Sequence, residues 1–208
     1  MSSEARAMPR FAEIPKGRMI IWLLVAGELV IFGGAIAGYL WNFLRHPEWE
    51  ALAGQALFWA GAVNTVVLLV SSVCIVKAHE AAVKRDLKKV QLFMLATIVL
   101  GLLFIVFKSI EWIPKIKAHI VLGQVSEGAK IVKGLLGFGS TFWDYYYFMT
   151  GLHAVHVLLG MVSIFIVMLS VRKGKNLHRV EMAGIYWHFV DLIWIFLFPL
   201  FYVSNVKF

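Results

Sequence analysis

Long apolar runs separated by short polar segments form the main pattern along this chain of 208 residues. A helix that crosses about 30 Å of hydrocarbon needs about 20 apolar residues, because each residue adds 1.5 Å. Five runs meet this requirement. The pattern therefore predicts an all-α, multi-pass membrane protein, a single bundle of five transmembrane helices. The predicted spans are residues 19–44, 56–78, 91–112, 142–171 and 182–204.

The composition supports a membrane protein and excludes an ordinary soluble domain. Hydrophobic residues make up 61% of the chain and charged residues 15%, and the mean hydropathy is +0.80. A soluble domain has about 45–50% apolar and about 25% charged residues. The net charge of +8 is divided among the polar segments between the runs. Since no single basic patch results, we expect no nucleic-acid partner.

The positions of the basic residues predict the orientation, because cytoplasmic segments retain an excess of Lys and Arg. The N-terminal tail and the second and fourth connections are rich in these residues. The expected topology is N-in and C-out, with residues 1–18 as a polar cytoplasmic tail and 19–208 as the membrane domain. Connection 113–141 also contains lysines, against the rule. It is predicted to be either a surface helix or a solvated loop.

Glu28 is an ionisable residue in the middle of the first predicted span. Such residues cost at least about 2.5–3.5 kcal/mol to insert, so they should face a neighbouring helix, a cavity or a partner subunit. One interpretation is a carboxyl that exchanges protons. The other is a protonated carboxyl that is hydrogen-bonded between helices. Gly34 and Gly38, four residues apart, would let another helix approach closely.

Two further pairs of polar residues lie inside the last two spans. His153 and His156 are three residues apart in one span, and His188 and Asp191 have the same spacing in the next. Residues three apart share a helix face. The pairs could bind a metal ion or clamp a haem, or they could join the two helices by hydrogen bonds. The repeated Glu-x-x-His pattern of di-iron bundles is absent, so no metal ligand and no catalytic residue is predicted.

Smaller polar groups predict contacts between helices. Asn64 and Thr65 are suited to hydrogen bonds across a helix interface. Glu111 follows Lys108 by three residues at the end of the third span. The two side chains are expected either to form an ion pair near the membrane surface or to extend separately towards it. The single cysteine, Cys74, allows no internal disulfide.

Several segments resemble subunit III of the haem-copper cytochrome c oxidases, in the order that this family has. The most specific is "YWHFVDLIW" at 186–194, which is similar to the signature of the family's last helix. "GSTF" at 139–142 and "TGLHAVHVLLG" at 150–160 resemble the start of its penultimate helix. The chain has five of the seven spans of the long family form. Lys108 stands where the family usually has glutamine.

The resemblance implies roles for several of these residues. Glu28 would correspond to the family's membrane-buried, carbodiimide-reactive glutamate, with a role in proton uptake. Five other residues match family positions that form a buried polar network. They are His153, His156, Glu181, His188 and Asp191.

The resemblance also implies a function. The chain would be the non-catalytic subunit III of a terminal oxidase that couples aerobic respiratory electron transport to proton pumping. It would stabilise subunit I, while the haems and copper would lie in its partners, subunits I and II, and none in this chain. The family holds phospholipid in a cleft that its first two spans form with the rest of the bundle. Because these two spans are missing here, the resemblance implies a cleft that is open or filled by another subunit and leaves phospholipid binding undecided. Membrane lipids and a larger respiratory assembly are the further partners that it allows. The location would be the bacterial inner membrane.

Three alternatives follow from the same residues. A subunit III-like component of a nitric oxide reductase would keep the same helices. An autonomous bis-histidine haem cytochrome would use His153, His156 or His188 as ligands. A transporter would use Glu28 and Asp191 as proton relays, but the chain has no repeated halves.

Overall fold

The computed structural model describes residues 16–53, 58–121, 141–172, 174 and 176–203. These residues form helices and no strand, as the sequence predicted. The elements, in chain order, are α1 (Lys16–Phe43), α2 (Glu48–Ala53), α3 (Phe58–Val83), α4 (Leu87–Val121), α5 (Thr141–Val171), α6 (His178–Phe198) and a π-helical turn (Pro199–Val203).

Five of these helices are long and apolar enough to cross a membrane, which confirms the predicted number of spans. The apolar segments are Met19–Phe43, Phe58–Val83, Leu87–Pro114, Phe142–Val171 and His178–Tyr202. The helices extend beyond the predicted spans at several ends, because helical hydrogen bonding can continue outside the hydrocarbon. The largest difference is in α4, which runs through Pro114 to Val121. The first part of connection 113–141 is therefore helical, and residues 122–140 lie outside the described residues.

The turn between α3 and α4 is closed by local interactions. Arg85 adopts a left-handed conformation with φ of 57°. The Asp86 carboxylate accepts a hydrogen bond of 3.2 Å from the Lys89 backbone N–H. Lys89 Nζ lies 3.0 Å from the same carboxylate. The Asp86 side chain caps the first turn of α4. The hydrogen bonds from Lys89 lower the pKa of Asp86, so the cap remains charged near neutral pH.

Helix α6 lies against α1, α3 and α5 and has the largest set of buried residues among the spans. Its Trp187 is fully buried between two glycines, Gly101 of α4 and Gly160 of α5. A Cβ atom would lie 2.9 Å from the indole at either glycine. The indole N–H also donates a hydrogen bond of 3.0 Å to Ser71 Oγ. One side chain thus fixes the spacing of α3, α4, α5 and α6.

Helix α1 is attached to the bundle along one narrow seam. Val25, Phe32 and Tyr39 are buried at intervals of seven residues, while most of the other faces of α1 are exposed. The Tyr39 hydroxyl donates a hydrogen bond of 3.2 Å to the Leu200 carbonyl. Trp49 of α2 packs on Tyr39 with 5.7 Å between ring centroids. This seam places Glu28 at the boundary between α1 and the bundle.

The end of α6 widens into a π-helical turn at Pro199. Proline has no backbone N–H and its ring clashes with the preceding turn, so a regular α-helix cannot continue unchanged through it. The turn buries Phe201 and Tyr202 against the other helices. It therefore brings a phenol hydroxyl from the end of α6 into the bundle.

Candidate functional site

Glu28 and His156 form a carboxyl–imidazole pair between α1 and α5. Glu28 Oε2 lies 3.0 Å from His156 Nε2, and the two side chains are 19% and 8% exposed. Glu28 is nine residues into its span, or about 14 Å from the start. The Phe32 ring also contacts the imidazole, with centroids 5.5 Å apart. The pair thus lies near the middle of the membrane and is almost enclosed.

The contacts of His156 determine where a proton can reside. Its Nδ1 lies 2.7 Å from the Leu152 carbonyl oxygen, which can only accept a hydrogen bond. Nδ1 therefore carries a hydrogen, and in a neutral ring Nε2 carries none. Glu28 Oε2 lies at ion-pair distance from Nε2, 3.0 Å, without the geometry of a hydrogen bond, and a proton on either group would stabilise this contact. The pair can hold one proton, on either the carboxyl or the imidazole.

His153 lies one turn from His156, in a different environment. It is fully buried. Its ring packs against Phe104 at 5.5 Å and against Trp194 at 5.2 Å between centroids. Neither ring nitrogen has a hydrogen bond within the described part of the chain. His153 is therefore held by aromatic packing between α4, α5 and α6.

His188 and Asp191 face α3. Ser72 Oγ lies 2.6 Å from His188 Nδ1 and links the two helices at mid-depth. Ser72 also stands beside the Asp191 carboxyl. The Asp191 side chain is 4% exposed, and its oxygens have no hydrogen bond to a described residue. The aspartate is thus buried beside the serine that contacts His188.

Two of the histidines that were predicted to belong to one network lie at different helix interfaces. His156 faces Glu28 across the α1–α5 interface, whereas His188 faces Ser72 across the α3–α6 interface. Glu181 is half-buried in the first turn of α6, ten residues before Asp191 and about 15 Å from it along the helix axis. Hydrogen bonds described by the structure do not join His153, His156, His188 and Asp191 to one another.

The two polar residues predicted on α3 also differ in their surroundings. Thr65 donates a hydrogen bond of 2.8 Å to the Gly61 carbonyl and accepts one of 3.0 Å from the Trp194 indole. It therefore links α3 to α6. Asn64 is 1% exposed and its amide has no hydrogen bond within the described residues.

The most extensive polar site is the lysine cluster, which consists of Lys108, Glu111, Tyr146 and Tyr202. Lys108 Nζ donates to Glu111 Oε2 at 3.0 Å, to Tyr146 Oη at 3.0 Å and to Tyr202 Oη. The two phenols in turn donate to Glu111, at 2.9 Å from Tyr146 and 2.7 Å from Tyr202. All three ammonium hydrogens and both carboxylate oxygens are thus bonded.

The lysine cluster decides between the two interpretations of Lys108 and Glu111, an ion pair or two side chains that extend separately towards the membrane surface. Lys108 and Glu111 form an ion pair, and both are buried inside the bundle. Sequence reasoning missed Tyr146 and Tyr202. Their only signal in the sequence is a phenol inside an apolar span, since Tyr202 is 94 residues away from Lys108.

The described residues contain no group of three His, Cys, Asp or Glu side chains close enough to hold a metal ion. Phe104 and Trp194 enclose the His153 ring, whereas His188 contacts Ser72 through Nδ1. The chemistry that the arrangement supports is the holding of a proton at the Glu28–His156 pair.

Comparison with known proteins identifies close resemblances over most of the chain. A sequence model of the family described as "Cytochrome c oxidase subunit III" matches residues 56–206. A "Cytochrome c oxidase subunit 3" of Thermostichus vulcanus is 30% identical over 205 residues, 96% of this chain and 93% of that protein. The protein of the same name in Alkalihalophilus pseudofirmus is 30% identical over 193 residues, 89% of this chain and 85% of its own length.

A third relative joins two subunits in one polypeptide. The "Heme-copper oxidase subunit I+III" of Aeropyrum pernix is 26% identical over 220 aligned positions, 96% of this chain. The match covers 24% of that protein.

Proposed function

This chain belongs to the cytochrome c oxidase subunit III family, and we propose that it is the non-catalytic subunit III of a haem-copper terminal oxidase. It binds beside subunits I and II in a bacterial inner membrane and supports respiratory electron transfer coupled to proton pumping. The observation that carries the proposal is the family match over residues 56–206 together with five membrane-spanning helices. The fused subunit I+III relative supports subunit I as the direct partner.

The redox cofactors belong to the partner subunits in this proposal. Three histidines inside the spans contact other side chains: His156 lies beside Glu28, His188 beside Ser72, and His153 between aromatic rings. Haem and copper supply the oxygen chemistry when they are bound in those partners. The residues of this chain hold the bundle together and keep one proton at the carboxyl–imidazole pair.

The subunit assignment is tested by purifying the tagged chain in mild detergent. We expect a large haem-bearing subunit and a copper-bearing subunit to co-purify, as mass spectrometry and an optical spectrum would show. A second purification that strips off these partners should leave the chain without a Soret band. Haem retained by the stripped chain would contradict the proposal, and a co-purifying nitric oxide reductase subunit would change the identity of the complex.

We propose that the Glu28–His156 pair supports proton uptake by the complex. Glu28→Gln should leave assembly intact, because glutamine has a similar volume, but it removes the acidic proton shared with His156. Because the glutamine amide can still donate to His156 Nε2 but cannot release a proton, we expect the half-life of the enzyme during turnover to shorten by up to about tenfold, which corresponds to about 1.4 kcal/mol. Oxygen consumption followed over many turnovers measures this half-life.

The matched control is Glu80→Gln, because Glu80 is exposed at the end of α3 and pairs with Lys77 and Lys84. It should leave both assembly and the half-life unchanged. Equal half-lives for the wild type and Glu28→Gln would reduce Glu28 to a packing residue.

A further inference from the structure

The outward surface of α6 forms one stripe at helical spacing. His188, Leu192 and Ile195 follow one another at intervals of four and three residues, and Phe196, four residues after Leu192, lies beside them; all four are exposed. His188 lies ten residues after the start of the span His178–Tyr202, or about 15 Å into it. The stripe is therefore apolar except for one imidazole at the middle of the membrane.

This imidazole is only partly satisfied within the chain. Ser72 occupies Nδ1, and Nε2 has no hydrogen bond to a described residue. Ser72 is itself partly exposed and near the middle of its own span, Phe58–Val83. Hydrocarbon offers no hydrogen-bonding group at this depth. A polar nitrogen that faces outward here is therefore unfavourable against lipid and favourable against protein.

Elsewhere among the described residues, the polar side chains near this depth lie between helices, as the partly exposed Tyr186 does in the groove between α1, α5 and α6. Helix α4 exposes Val99 and helix α5 exposes Leu158, both apolar. On the remaining side, the partly exposed Glu28 has His156 as its partner. The face formed by α3 and α6 around His188 is thus distinguished from the others by its chemistry.

We propose that this α3–α6 face, centred on Ser72 and His188, is where a transmembrane helix of the catalytic subunit docks. The docking helix is apolar over Leu192 and Ile195 and presents one hydrogen-bonding side chain level with His188 Nε2. Asp191, buried beside Ser72 without a hydrogen bond to a described residue, is sealed from lipid when that helix is in place. This inference rests on the proposed function, since it requires a catalytic partner subunit.

Photocross-linking in the intact complex tests the docking face. The full chain carrying p-benzoylphenylalanine at position 188 is produced with the other oxidase subunits and irradiated in native membranes. A matched chain carries the cross-linker at position 99, which lies about 18 Å into its span Leu87–Pro114 and is 55% exposed as valine. We expect a cross-link to the catalytic subunit from position 188 and not from position 99. Position 192 repeats the test with a residue that makes no hydrogen bond of its own.

Co-purification distinguishes a wrong docking face from a wrong proposed function. If the catalytic subunit co-purifies but cross-links form from position 99 and not from 188 or 192, the docking face is wrong and the proposed function stands. If the wild-type chain brings down no catalytic subunit, both fail.

Substitution of His188 tests the hydrogen bond itself. His188→Leu should raise the rate at which the chain leaves the complex in detergent by about tenfold, as expected for one lost hydrogen bond. His188→Gln keeps a hydrogen-bonding group at the end of the side chain and should stay within about twofold of wild type. Equal dissociation of both variants and the wild type would overturn the role of the imidazole.

Discussion

Lys108→Met is expected to lower the free energy of unfolding by about 3–5 kcal/mol, because it leaves the Glu111 carboxylate as an uncompensated buried charge. Lys108 is 2% exposed and supplies three of the hydrogen bonds of the lysine cluster. Methionine fills a similar volume but donates none of them. The two phenols keep their bonds to Glu111 but cannot neutralise its charge.

Thermal unfolding of the purified chain in mild detergent, followed by tryptophan fluorescence, measures this effect. A loss of this size corresponds to a midpoint about 10 °C lower. The double variant Lys108→Met/Glu111→Leu should recover part of the loss, since both charges are then absent. Lys77→Met is the matched control, because Lys77 is exposed and pairs with Glu80 three residues away. If Lys108→Met had the same unfolding midpoint as Lys77→Met, the lysine cluster would make no net contribution to the free energy of unfolding.

Trp187→Ala is expected to cost about 3–5 kcal/mol, the usual range for removal of a large buried aromatic side chain. The indole fills the space left by Gly101 and Gly160, so its loss opens a cavity that three helices line. The substitution also removes the hydrogen-bond donor to Ser71 Oγ. We therefore expect α3, α4 and α5 all to pack less tightly against α6.

The same unfolding measurement applies, with Trp59→Ala as the control. Trp59 is 79% exposed at the start of α3, so its truncation creates no internal cavity. We expect a midpoint close to that of the wild type for Trp59→Ala and one about 10 °C lower for Trp187→Ala. A small effect at Trp187 would mean that the helices collapse into the vacated space.

Two physical classes can be distinguished among the buried polar groups that the structure describes. The lysine cluster is saturated with internal hydrogen bonds, which is the condition under which a buried ion pair is tolerated. Asn64, His153 and Asp191 are buried without hydrogen bonds to described residues. Loss of one charged member of the first class would leave a buried charge uncompensated. In the second class, a new hydrogen-bonding partner would change the free energy most, because the buried polar atoms have no hydrogen bond to a described residue.

The sequence by itself determined the class of protein and its five spans. Hydrocarbon thickness sets a length requirement that can be counted along the chain, and five segments meet it in the structure as predicted. The motif at 186–194 also indicated the family that the match over residues 56–206 shows. Boundaries were less well determined, as α4 shows by continuing to Val121, because helical hydrogen bonds continue beyond the apolar run.

Only the tertiary structure decided which polar residues meet. A membrane helix is apolar on nearly all faces, so its sequence lacks the amphipathic period that would show which face points inward. His188 meets Ser72 at a separation of 116 residues, and Lys108 meets Tyr202 at 94. Such partners depend on how the helices are rotated and packed around Trp187, and close packing at Gly101 and Gly160 fixes that arrangement.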